Sequence, residues 1–97
     1  MGSTTTIDAP SRMGRRAQAV ELLADLPRSL VGAEVTVAFP DIAFATTSFI
    51  DEVIRSVLVD RQADRLSLQN ANEQVREIAC GSAGDLGVTS RLTISPA

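Results

Sequence analysis

The chain has 97 residues, 44% of them hydrophobic, with three Phe, no Trp, no Tyr and a formal net charge of -3. That length suits one domain with one modest core, which must be packed mainly from Val, Ile, Leu and Ala. The negative charge and the scattered arginines argue against nucleic-acid binding, and the want of an apolar run near the roughly 18–20 residues of a span argues against membrane insertion.

Residues 1–10 are polar and Thr-rich, unlike an export signal. The first five are expected to fray, although residues 4–9 carry enough β-branched side chains for a short strand. Ser11 is placed to cap a helix reaching Leu26, on which Met13, Ala17, Val20, Leu23 and Ala24 form an apolar stripe at spacings of three and four. Pro27 ends it. Residues 34–39, EVTVAF, read as a strand covered on both faces near its end and stopped by Pro40 and Asp41.

Residues 42–46 connect to the clearest element, a helix over 48–62. Phe49, Ile50, Val53, Ile54, Val57 and Leu58 line its inner face, and Asp51, Glu52, Arg55, Asp60 and Arg61 its outer one. Residues 65–69 form a brief strand, and Asn70 and Asn72 bracket the start of a helix over 72–79 with Val75, Ile78 and Ala79 inward. Gly81, Gly84 and Gly87 then break regular structure before a last strand over 88–94. The alternation predicts a single α/β domain over 1–97: about four strands, mostly parallel or mixed, with an antiparallel strand at one edge and helices packed on the sheet.

Residues 35–79 resemble the STAS-like domains of unassigned function found in bacteria, distant relatives of the sulphate-transporter and anti-sigma-factor-antagonist domains. The resemblance rests on Ser48, Phe49, Ile50, Asp51 and Glu52 at a helix start that follows a strand and a hydrophobic-aspartate turn, and on the later strand ending in Asn70 with its short helix through Ile78. It departs at Ala38 and Phe39, where members often carry Asp-Phe. The resemblance implies a STAS-like sandwich and a non-catalytic regulatory module that binds a protein partner, a histidine-kinase-like ATPase in the antagonist relatives. In those relatives a serine opening this helix is phosphorylated; Thr47 and Ser48 occupy the matching place.

A phosphate there adds a charge of about -1.5 to -2 and so could make or abolish a docking surface. Ser48 followed by Asp51 also fits a capping box, and Asp51 and Glu52 would repel the phosphate. Both readings of Ser48 stand. Arg12, Arg15 and Arg16 fall in the first turns of the first expected helix, against its dipole. An acidic partner surface or a bound anion explains them, as does a solvated face. With Asp51 and Glu52 they complete the candidate contact surface.

Cys80 reads as a small buried or half-buried residue rather than a nucleophile. A lone cysteine without histidine supports neither a disulfide framework nor a metal site and suits a reducing, cytoplasmic setting. With no His, no Tyr, no glycine-rich phosphate loop and no nucleophile motif, neither a cofactor nor catalysis is expected. Two other readings stay open: a small-ligand or nucleotide sensor using helix N-termini as an anion site, and a structural subunit pairing through a sheet edge.

Overall fold

The computed structural model describes residues 4–96; residues 1–3, which carry most of the expected fraying, and residue 97 lie outside the described residues. In chain order the elements are β1 (Thr4–Asp8), β2 (Arg12–Met13), α1 (Arg16–Leu22), β3 (Glu34–Ala38), β4 (Phe44–Ala45), α2 (Thr47–Ile54), β5 (Arg65–Ala71), α3 (Glu73–Leu86) and β6 (Leu92–Pro96). A π-helical segment, Arg55–Asp60, prolongs α2, and a 3-10 turn, Thr89–Arg91, leads into β6.

The main sheet has the order β1-β3-β5-β6, and every pairing in it is parallel. Parallel crossovers are right-handed almost without exception, so a strand order that follows the chain puts the helices on one face. Burial agrees. Val35, Val37, Leu66 and Leu68 point into the core, while the opposite face carries a registered row of small hydroxyl side chains, Thr6, Thr36, Ser67 and Thr93.

The α2 stripe is buried as its periodicity predicts: Phe49, Ile50, Val53, Ile54, Val57 and Leu58 are each at most 1% exposed. Val75, Ala79 and Ala83 of α3 and Ala19 of α1 complete the layer. At its far end Arg91 donates from Nη2 to the carbonyls of Leu58 (2.9 Å) and Ala63, and Arg61 donates to those of Pro27 (3.2 Å) and Leu23 (3.3 Å). Two arginines thereby take up carbonyls at and beyond the ends of α1 and of the π-helical segment.

Several local expectations are corrected. The first helix begins at Arg16 rather than after Ser11, because residues 12–13 pair as strand β2 with β4, and Gln18 Oε1 accepts from the N–H groups of Gly14 (2.8 Å) and Arg15 (2.9 Å). Its buried side carries Ala19, followed by Leu23 just past the helix end; Val20 is 53% exposed, and Met13 is buried from a strand. The connector over 42–46 contains β4. The third helix does not stop at Ala79: it runs through the exposed Gly81 and Gly84 to Leu86, and only Gly87, at φ 71°, terminates it in the left-handed region. That extra length returns the chain to the sheet's amino edge, so β6 enters parallel and the expected antiparallel edge strand does not form. Among the described residues no helix is long and apolar enough to cross a membrane.

Candidate functional site

A sheet of parallel strands gathers its βα connections at the strands' carboxyl ends, where ligands and partners are commonly met. Here the connection from β3 to α2 occupies that edge, and other residues fasten it down. Asn70, itself at φ 59°, donates from Nδ2 to the carbonyl of Phe39 (2.9 Å) and to Asp41 Oδ1 (3.1 Å). Asn72 works in both directions. Its Oδ1 accepts from the N–H of Val75 (2.9 Å), capping α3, and its Nδ2 donates to the carbonyl of Ala43 (3.0 Å). The N–H of Phe44 donates to the Ser11 carbonyl and that of Thr46 to the Met13 carbonyl, both at 2.9 Å.

Between these fixings the connector alternates. Ala43 and Ala45 face inward, 6% and 4% exposed, so Ile42 and Phe44 stand outward at 72% and 66%. Phe44 borders an open pocket of about 490 Å³ with Arg12, Gly14, Thr46 and Gln74, over buried Met13 and Ala45. A backbone pinned this firmly cannot fold the two bulky side chains under the protein, so their apolar surface stays in water.

The first turn of α2 follows at once. Thr46, not Ser48, is the N-cap: its hydroxyl oxygen accepts from the N–H of Phe49 at 3.3 Å. The capping box expected of Ser48 and Asp51 is therefore absent, since Ser48 already lies inside the helix. Thr47 and Ser48 are both exposed.

One turn on, Asp51 and Glu52 are engaged from within. Arg16 reaches from α1 to place Nη2 3.2 Å from Asp51 Oδ2 and Nη1 2.8 Å from Glu52 Oε1. Ser56 donates a hydrogen bond to Glu52, and Arg55 Nε lies 3.8 Å from Asp51 Oδ2. Burial works to raise the carboxyl pKa of Glu52, but the hydrogen bonds from Ser56 and Arg16 and the charges of Arg16 and Arg55 outweigh it and hold the group below the usual carboxylate range. The same two carboxylates, Glu52 foremost, raise the pKa of Arg16.

The three arginines thus part company. Arg16 is committed to α2, whereas Arg12, in β2, and Arg15, at the N-cap of α1, are exposed and form no ion pair among the described residues. Neither Arg12 nor Arg15 stands inside a helix opposing its dipole, the basis on which sequence singled them out. Cys80 is exposed rather than buried or half-buried. Ile42, Phe44 and Gln74 were missed by sequence reasoning; the alternation in Ile42-Ala43-Phe44-Ala45 marks two faces of an extended segment, but by pattern alone it would bury the larger pair, the reverse of what is found. Among the described residues no group of three or more His, Cys, Asp or Glu could hold a metal ion. Comparison of the chain with family models, curated proteins and solved structures returned no match.

Proposed function

We propose that this chain is a STAS-like regulatory module without catalytic activity, which binds a protein partner through the carboxyl edge of its sheet. What carries the reading is the pinned connector, which holds Ile42 and Phe44 in water at 72% and 66% exposure while their neighbours Ala43 and Ala45 are buried. A rigid loop that displays bulky apolar side chains supplies an interface anchor at little ordering cost on binding. The exposed hydroxyls of Thr47 and Ser48 adjoin it, so a phosphate on either would alter charge at the rim of the contact. In this reading the partner is a histidine-kinase-like ATPase, the setting is a bacterial cytoplasm, and the exposed free thiol of Cys80 suits its reducing conditions.

The test is calorimetric titration of the chain against the histidine-kinase-like ATPases of its own cell. Phe44→Ala is expected to weaken the interaction by at least about 2 kcal/mol, the scale of a central aromatic anchor, and Ser48→Asp to change the affinity at least tenfold. An ATPase complex indifferent to Phe44→Ala, Ile42→Ala and Ser48→Asp, or no complex with any of these ATPases, would overturn the proposal.

A further inference from the structure

We infer that the pocket beside Phe44 receives an acidic segment of the partner carrying one bulky apolar side chain. The inference rests on the reading of this edge as a protein-binding surface and adds the chemistry of what binds there. Among the described residues lining the pocket Arg12 alone is charged, and Arg15 lies one residue beyond the lining residue Gly14. Both are exposed, neither forms an ion pair among the described residues, and they bring positive charge to this edge of a chain whose net charge is -3. Asp51 and Glu52 of α2 are engaged with Arg16, and the carboxylate of Asp41 accepts from Asn70. The guanidinium of Arg12 has no carboxylate within ion-pair distance among the described residues, and the paired geometry of guanidinium and carboxylate favours one supplied from outside.

The apolar half of the recognition is as well defined. Met13 and Ala45 are buried beneath the pocket at 1% and 4% exposure, and the Phe44 ring borders it. Its volume of about 490 Å³, open to solvent, leaves room for one bulky side chain. A Leu, Ile, Met or Phe side chain entering it would cover Phe44, while Asp or Glu residues beside that anchor would meet Arg12 and Arg15. Nucleic acid is the poorer occupant, because two arginines on an acidic chain neutralise too few phosphates.

Phage display of a random peptide library against the whole chain tests this directly. Enrichment of peptides with one bulky apolar residue flanked by Asp or Glu is expected. Their affinity, read by fluorescence anisotropy, should fall at least tenfold with Arg12→Glu, recover when the peptide's acidic residues are exchanged for Lys, and weaken as salt is raised. Arg28→Glu, outside the pocket, should leave it unchanged, and circular dichroism checks that each variant is folded. If Phe44→Ala abolishes binding of the selected peptides but Arg12→Glu and Arg15→Glu do not, the carboxyl-edge surface survives and the acidic occupant is wrong. If neither kind of substitution matters, both fall. Enrichment of basic or uncharged peptides, failure to enrich any, or binding of anionic lipid vesicles in place of acidic peptides also overturns the inference.

Discussion

Asn72 is the residue through which helix stability and the presentation of Phe44 are coupled, and its two hydrogen bonds can be separated. Replacing it with Ala removes the acceptor for the Val75 N–H and the donor to the Ala43 carbonyl together. Loss of an N-cap costs about 1 kcal/mol, and loss of a hydrogen bond at the buried Ala43 costs about another 1 kcal/mol or more. Asn72→Ala should therefore destabilise by roughly 2 kcal/mol, which for a domain of this size is a fall in Tm of roughly 8–16 °C. Asn72→Asp keeps the capping oxygen and puts a negative charge at a helix start, where it is favourable, but has no proton for Ala43. It should lose about half as much stability and yet free the connector as fully as Ala does. Urea unfolding gives the stabilities, and hydrogen exchange at the amides of Phe44 and Thr46 reports the connector. Wild-type protection at both amides in Asn72→Asp would show that the clamp does not hold the loop, and the preorganisation argument would fail with it.

Because Thr46 caps α2, Thr46→Ala should cost about 0.5–2 kcal/mol and Ser48→Ala under about 0.5 kcal/mol; denaturant titration showing the reverse order would restore the cap to Ser48. Gly81 and Gly84 are exposed within α3, and a Cβ at either meets nothing within 4 Å, so each change to Ala should stabilise by about 0.5–1 kcal/mol. At Gly87, held at φ 71°, the same change should destabilise by about 1–2 kcal/mol. Three melting curves decide both. The lowered pKa of Glu52 also fixes a sign: the unfolded chain takes up this proton first on acidification, so the stabilisation is complete above the ordinary carboxylate range and is lost as pH falls through the folded pKa. Stability measured from about pH 7 down to about pH 3 should fall less steeply for Glu52→Gln than for the wild type.

Hydrophobic periodicity and the alternation of helices with strands determined the α/β class, a largely parallel sheet and the whole buried face of α2, because burial imposes a repeat of 3.6 or 2 that can be read without coordinates; that no antiparallel edge strand forms came only with the length of α3. Asn72 was legible at the start of α3 for a similar reason, since its side chain answers a backbone group only three residues away. Where contacts join distant parts of the chain, the sequence carried no such trace. The pairing of Arg12-Met13 with Phe44-Ala45 spans some thirty residues and took the first helix's expected opening turn into a strand. Likewise the 35- and 36-residue reach of Arg16 to Asp51 and Glu52 turned an apparently free contact patch into an internal clasp. Composition marks glycine as a breaker, but whether Gly81 and Gly84 end a helix depended on Ala79 and Ala83 finding a core to enter. The outward stance of Ile42 and Phe44 was likewise decided by tertiary structure, because hydrogen bonds from remote strands and loops, rather than any local preference, set which side of the connector meets water.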